Sequence, residues 1–233
     1  MTYNLLIETA TMVCSVGISR DGEIIAIRES MEFRSHAEMV SVFIAEVMSE
    51  TGLSYADLNA VAVSKGPGSY TGLRIGVSTA KGICYGADKP LIGIETLAAM
   101  TSGFVEVNKE NLLPTDLFCP MIDARRMEVY CRLSDISQNV LSETEAMIID
   151  DQSFQEKLAN QRIWFFGDGA AKCETLINHP NALIVKDFNP SVRFMARMTQ
   201  QAFDKQQFEN VAYFEPFYLK DFVAALPRVK GLR

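Results

Sequence analysis

The stretch SKGPGSYTGLRIGVSTAKG, residues 64–82, decides how the first half of this chain is built. It follows LNAVAV, an apolar run typical of a short buried strand, and it leads into residues with helical spacing. Glycines at such a strand-to-helix turn either leave backbone amides free to bind an anion at the helix amino terminus or allow two backbones to pack closely. The segment itself leaves both interpretations open.

The glycine loop matches neither common nucleotide-binding motif. A Walker loop needs a second glycine, followed by lysine, five residues after its first glycine, but Thr71 lies five residues after Gly66 and Leu73 lies five residues after Gly68. The dinucleotide fingerprint needs a glycine at position 71, and the chain has that glycine one place later. An anion site formed by the amides of the loop remains a candidate.

The helix that follows the loop carries small residues on one side. Gly72, Gly76 and Ala80 recur every four residues and therefore share one stripe. Each glycine costs about 1 kcal/mol relative to alanine inside a helix, so the stripe must serve a purpose. Small side chains let another backbone approach closely, and that backbone belongs either to the protein's own sheet or to a partner.

A second helix is predicted over residues 35–50, where Ser35 and Glu38 have the spacing of a capping box. Val42 and Ala45 widen its apolar side beyond the usual single stripe. Two adjacent helices with excess apolar surface predict a docking face for a partner or for a second copy of the chain. The residues predicted to bind a partner are Met39, Phe43, Val47, Gly72, Leu73, Gly76, Val77 and Ala80.

The segments on both sides of these helices predict an α/β fold in two halves. Asp21-Gly22 separates two apolar runs and is a strong hairpin signal, so we expect a mixed five-stranded sheet in the order β-β-β-α-β-α-β-α. After the polar segment VNKENLLPTD, the runs LFCPMIDA and RMEVYCRLS resemble a second opening hairpin, followed by a shorter helix-strand series. We therefore predict domains at 1–105 and 106–218, the second one reduced, and a tail at 219–233.

Composition limits the classes of function. The chain has 233 residues with 22 basic and 29 acidic side chains, and a net charge of −7 disfavours direct nucleic-acid binding as its main role. The amino terminus MTYNLLIETA lacks the basic leader and the long apolar run of a signal peptide or a membrane span, so we expect a cytoplasmic protein that contacts no membrane. Five cysteines without a CxxC pair, and two histidines far apart in the sequence, predict buried reduced thiols and no metal site.

Several segments resemble one protein family. The glycine segment and the GIETLAAM that follows it resemble the signature of the TsaB (YeaZ-like) family, and MIDARRMEVY, FGDGA and FYLKDFVA are similar to that family's later segments. The resemblance spans nearly the whole chain. It implies two RNase H-like halves of the actin-like ATPase group, which agrees with the internal repeat. It also implies a role with TsaD and TsaE in forming threonylcarbamoyladenosine at position 37 of tRNA.

The resemblance implies sites as well. It implies that the helices at 35–50 and 71–86 bind TsaD or a second copy of the chain, that TsaE joins through the complex, and that tRNA is contacted indirectly. It places a candidate nucleotide or anion cleft between the halves, where Glu8 and Arg125 would crowd a phosphate. The residues of this candidate cleft are Thr9, Gly66, Gly68, Ser69, Asp123, Gly167 and Gly169.

Two classes of function follow. The first is a noncatalytic subunit that is needed by a tRNA threonylcarbamoyltransferase complex. Alone it requires no cofactor, and it binds a magnesium nucleotide weakly at most. The alternative is a stand-alone nucleotidase or a peptidase, as the older label glycoprotease implies. A serine triad needs a histidine base, and neither histidine lies in a suitable context. Asp123 ends a predicted strand, where a carboxylate more often accepts a turn hydrogen bond than binds magnesium.

Overall fold

The structure is a computed structural model that describes residues 1–31 and 36–220. Its first half contains a mixed five-stranded sheet in the order β3-β2-β1-β4-β5, in which β1 pairs antiparallel with β2 and parallel with β4. The elements of this half are β1 (Tyr3–Glu8), β2 (Cys14–Arg20), β3 (Glu23–Ser30), α1 (His36–Thr51), β4 (Ala60–Gly66), α2 (Tyr70–Ala87), β5 (Leu91–Glu95) and α3 (Thr96–Asn108).

Local turn chemistry sets the boundaries of these elements. Asp21 and Gly22 both adopt positive φ angles, 51° and 84°, as the tightest hairpins require, and they join β2 to β3. Helix α1 ends before Gly52, whose φ is 66°. The predicted hairpin and the predicted end of the first helix are therefore confirmed. Ser35 of the predicted capping box lies outside the described residues.

The second half repeats the first sheet. Its order is β10-β9-β6-β7-β8, so in each half the first strand lies between the second and the fourth. The predicted pair of RNase H-like halves is confirmed, and the reduction of the second half lies in its helices, because α4 and α5 have four residues each. The elements are β6 (Leu117–Asp123), β7 (Glu128–Asp135), β8 (Val140–Ile148), α4 (Gln155–Leu158), β9 (Ile163–Phe166), α5 (Ala170–Cys173), β10 (Ala182–Val185) and α6 (Ala196–Asp204).

Helices cover both faces of the first sheet. Helices α1 and α2 lie on one face, over Leu5 and Ile7 of β1, whereas α3 and α6 lie on the other face, over Leu6. Helix α3 also contacts the second half, where the ring of Phe104 stacks on that of Phe166 at a centroid distance of 4.0 Å. The outward sides of α1 and α2 are thus exposed on the same side of the molecule.

The predicted domain limits need correction at two points. Helix α3 continues to Asn108, past the predicted boundary at 105. The chain after β10 returns to the first half, where Met195 and Ala196 pack against Leu6, so the predicted second domain of residues 106–218 does not correspond to one body in space. The physical reason is that α6 fills the apolar face that β1, β4 and β5 leave beside α3. Of the predicted tail, residues 221–233 lie outside the described residues.

Two predictions from composition can be compared with the structure. All five cysteines are buried free thiols, which confirms the prediction of reduced buried cysteines. Over residues 1–31 and 36–220, no helix combines the length and the hydropathy that a bilayer span requires.

Candidate functional site

The glycine loop between β4 and α2 is covered by the turn that follows β1. The backbone N–H of Ser69 donates to the carbonyl oxygen of Ala10 at 2.7 Å, and the Ser69 hydroxyl accepts from the N–H of Gly72 as the cap of α2. A Cβ atom on Gly68 would collide with the backbone and the side chain of Ala10. At this point the glycines serve close packing of two backbones.

The stripe of small residues on α2 lies against the same turn. The Thr9 hydroxyl donates to the carbonyl oxygen of Gly72 at 2.8 Å, and Cβ atoms on Gly72 and Gly76 would collide with the carbonyl and the hydroxyl oxygen of Thr9. Neighbouring positions on this side are also buried beneath the protein's own sheet, and they are Leu73, Val77 and Ala80. The prediction that this stripe contacts a partner is therefore wrong, because β1 and β4 occupy the space that a partner would need.

On α1 the three predicted contact residues differ in exposure. Val47 is fully buried in the core, so its assignment to a partner surface is also wrong. Met39 and Phe43 are half-buried and pack against the same core. The side of α1 that faces solvent carries Val42, which is 52% exposed, and Ala45.

The opposite side of α2 carries a second series of small residues. Ser78, Gly82 and Gly86 recur every four residues and are exposed, and a Cβ atom on either glycine would meet nothing within 4 Å. Tyr85 projects beside them and is 87% exposed. Because α1 and α2 are in contact and cover the same face of the sheet, their exposed sides form one surface. We call it the outer helical face, and its residues are Val42, Ala45, Ser78, Gly82 and Tyr85.

Charged groups around the outer helical face are mostly paired within the protein. Arg28 of β3 forms ion pairs with Glu46 and Glu50 of α1, at 2.8 and 2.7 Å. On α2 the ammonium group of Lys81 donates to the carbonyl oxygens of residues 212 and 214. The face is left with small and apolar side chains in its middle. A cavity of about 580 Å³ continues the face between α2 and residues 210–212.

The second-half residues of the candidate cleft are engaged in contacts within the protein. The Oδ1 atom of Asp123 accepts from the backbone N–H of Arg125 at 2.7 Å and forms an ion pair with Lys172. A Cβ atom on Gly167 would collide with the carbonyl oxygen of Met121, and one on Gly169 would lie 2.9 Å from the carbonyl carbon of Ile122. Asp123 is thus the acceptor of a turn, and its negative charge is balanced by a side chain.

The first-half residues of the candidate cleft also contact atoms of the chain itself. Gly66 has a φ of 106°, and the carbonyl oxygen of Phe217 lies 2.9 Å from the position that its Cβ would take. The hydroxyls of Thr9 and Ser69 are hydrogen-bonded to the backbone of Gly72, and Gly68 packs against Ala10. At these residues the glycines therefore pack against the chain's own backbone, and binding of an anion or nucleotide there stays a prediction. Among the described residues, no group of three histidine, cysteine, aspartate or glutamate side chains is placed to hold a metal ion.

Glu8 is a buried acid at the centre of this packing, and sequence patterns did not identify its environment. Burial raises the pKa of its carboxyl group from 4.5 to about 7, and hydrogen bonds from the N–H of Ala10, from Ser64 and from the N–H of Thr9 oppose that rise. Its Oε2 atom is buried without a hydrogen-bond partner among the described residues. Asp168 in the second half is similar, since burial, followed by the charge of Asp123, raises the pKa of its carboxyl group.

The chain is similar to known proteins over most of its length. The sequence model of a family described as "TsaD: tRNA N6-adenosine threonylcarbamoyltransferase" matches residues 30–227. The "tRNA threonylcarbamoyladenosine biosynthesis protein TsaB" of Escherichia coli is 30% identical over 226 residues, which cover 94% of this chain and 95% of that protein. A "tRNA N6-adenosine threonylcarbamoyltransferase" of Halalkalibacterium halodurans is 46% identical over 65 residues, or 28% of this chain and 19% of that enzyme.

The fold has a close counterpart among solved structures. The structure described as "YeaZ from Pseudomonas aeruginosa" superposes with a TM-score of 0.81 at 20% sequence identity, covering 94% of this chain and 100% of that chain. This likeness concerns the fold alone. The family model and the match over nearly the whole length of the Escherichia coli protein show that the chain belongs to the TsaB family of tRNA threonylcarbamoyladenosine biosynthesis proteins.

Proposed function

We propose that this chain is a noncatalytic subunit in threonylcarbamoyladenosine biosynthesis, and that it binds the threonylcarbamoyltransferase TsaD through its outer helical face. The chemistry, transfer of the threonylcarbamoyl group to adenosine 37 of tRNA, takes place in the transferase. TsaE and tRNA join through that partner. In isolation the chain uses the same face to form a homodimer.

The outer helical face is the observation that carries this proposal. Its centre is apolar and small, and the charged residues around it are largely engaged within the chain, as in the core of a protein interface. Gly82 lets a partner helix approach α2 closely, while the exposed ring of Tyr85 offers a large contact area. The likeness to the Halalkalibacterium transferase supports a partner of related fold, because similar halves can associate through corresponding helices.

The candidate cleft supports a noncatalytic role. The ammonium group of Lys172 pairs with Asp123, and the glycines on both sides of the cleft pack against backbone atoms of the chain. A magnesium nucleotide would have to displace these contacts, so its binding would be weak. This arrangement favours the subunit over a stand-alone nucleotidase or a peptidase.

Reconstitution with TsaD of the same organism tests the proposal. The masses of the chain alone, of the transferase alone and of the mixture show whether a complex forms, and a tRNA modification assay with and without the chain shows whether the complex needs it. We expect a complex and a loss of modification without the chain. Magnesium-dependent ATP turnover or peptide hydrolysis by the chain alone, without complex formation, would contradict the proposal and support the rival functions.

A further inference from the structure

The segment after α6 runs along the first half before it crosses to the second. The N–H of Glu209 donates to the carbonyl oxygen of Leu91 at 2.8 Å, at the outer edge of β5. Lys81 of α2 then holds the carbonyl oxygens of Ala212 and Phe214, at 3.2 and 2.9 Å. We call residues 209–220 the strap.

An aromatic side chain anchors the first part of the strap. Phe214 is only 9% exposed and belongs to the core beneath α1 and α2. A Cβ atom on Gly93 of β5 would lie 2.9 Å from the Phe214 ring, so this glycine provides space for the ring. The first part of the strap is therefore fixed by burial as well as by backbone hydrogen bonds.

The middle of the strap lies over the glycine loop. The N–H of Phe217 donates to the carbonyl oxygen of Lys65 at 2.6 Å, directly before Gly66. The rings of Tyr218 and Tyr70 lie with their centroids 4.8 Å apart. These contacts place the strap at the end of β4, where the first-half residues of the candidate cleft begin.

The last described residue of the strap reaches the second half. The ammonium group of Lys220 forms an ion pair with the carboxylate of Glu128 and donates to the carbonyl oxygen of Ala124 at 3.4 Å. It also lies 5.9 Å from the centre of the Tyr130 ring. Ala124 follows Asp123, so Lys220 binds beside the second-half residues of the candidate cleft.

We infer that the strap is a latch, in which the ion pair between Lys220 and Glu128 closes residues 215–220 over the glycine loop and ties the two halves together across the cleft. The hydrophobic anchor at Phe214 stays in place while the part beyond it opens and closes. Both charged side chains are partly exposed, at 36% and 23%, so water can replace the ion pair when the latch opens. The latch is independent of whether the outer helical face binds the transferase.

Hydrogen exchange of the full chain tests the latch through the N–H of Phe217, which is protected only while the strap lies on Lys65. We expect Lys220→Glu and Glu128→Lys each to increase exchange across residues 215–219 by about tenfold, with little change at Phe214. Lys220→Arg keeps the charge and should leave exchange close to that of the unaltered chain. The double variant Lys220→Glu with Glu128→Lys should restore protection, because it rebuilds the ion pair with reversed charges.

Thermal melting verifies that each variant is folded. Unchanged exchange in Lys220→Glu, or a failure of the folded double variant to restore protection, would overturn the inference and show that the aromatic contacts and the backbone hydrogen bonds hold the strap without the ion pair.

Discussion

The hydroxyl of Thr9 donates a 2.8 Å hydrogen bond to the carbonyl oxygen of Gly72 and joins the end of β1 to the first turn of α2. The contact needs glycine on the facing side of the helix, because side chains at Gly72 and Gly76 would collide with Thr9. Helix α2 therefore has two small-residue sides with different purposes. One is buried on β1 and β4, and the other, at Ser78, Gly82 and Gly86, faces outward.

The same substitution on the two sides of α2 should have opposite effects. Gly76→Ala places a Cβ atom against the Thr9 hydroxyl and should lower the free energy of unfolding by about 3 kcal/mol. Gly82→Ala meets open space and should raise it by up to about 1 kcal/mol, through helix propensity. Urea denaturation of the two variants measures both effects.

A second substitution serves as the control for the Gly76→Ala prediction. Thr9→Ala removes the oxygen that the new methyl group would meet, so the double variant should be more stable than the sum of the two single effects implies. Equal losses for Gly76→Ala and Gly82→Ala would show that the two sides of α2 are not distinguished in this way.

The buried carboxyl of Glu8 should make stability depend on pH. Its pKa is about 7 in the folded protein against 4.5 ordinarily, so the folded state keeps a proton that the unfolded state releases. The stabilisation is complete below about pH 4.5, and about 3 kcal/mol is lost as the pH rises through 7. The glutamine of a Glu8→Gln variant cannot ionise, so this variant should lack the loss. Its free energy of unfolding should be close to that of the unaltered chain at pH 5 and should exceed it at pH 8.

Denaturation of both proteins at several pH values measures the Glu8 contribution, since the other titrating groups cancel in the difference. Parallel stability curves from pH 5 to pH 8 would rule out the assigned role of Glu8.

An ion pair between the two halves should contribute to their association. Arg132 of β7 bonds to Glu95 at the start of α3 at 2.7 Å, and the side chains are only 11% and 19% exposed. Burial raises the pKa of Glu95, and the charge of Arg132 opposes that rise. Arg132→Met leaves the carboxylate without its partner and should cost about 3 kcal/mol. Adding Glu95→Gln should recover much of that loss, as measured by denaturation, whereas purely additive losses would argue against the pairing.

Local features predicted the first half of the fold well. Asp21-Gly22 and Gly52 specify their turns through backbone conformation, which depends on the residue itself. The edge strand β8 was not predicted, since most of its side chains are exposed and its sequence VLSETEAMI does not alternate cleanly. Helix α6 was also missed, although Met195, Met198 and Ala202 have helical spacing and could have indicated it.

The orientation of α2 could not be predicted from its own residues. Gly72, Gly76 and Ala80 form one small stripe, and Ser78, Gly82 and Gly86 form another, so both sides fit the same pattern. The choice between them is made by Thr9, which lies 63 residues before Gly72 in the sequence. Similarly, the partner of Asp123 is Lys172, 49 residues away. Such contacts are set by tertiary packing within each half, between residues that are far apart in the sequence, and a local sequence pattern does not reveal them.

The affinity of TsaD for a Gly82→Leu variant tests the central claim most directly. The leucine meets open space on the chain's own surface, so the variant should fold and should melt no lower than the unaltered protein. Gln201→Leu, which adds the same side chain at an exposed site on α6, is the matched control. We expect Gly82→Leu to weaken TsaD binding on the order of a hundredfold, with Gln201→Leu unchanged, because only the former obstructs the centre of the outer helical face. Equal, unaltered affinity in both folded variants would contradict the assignment of that face to the partner.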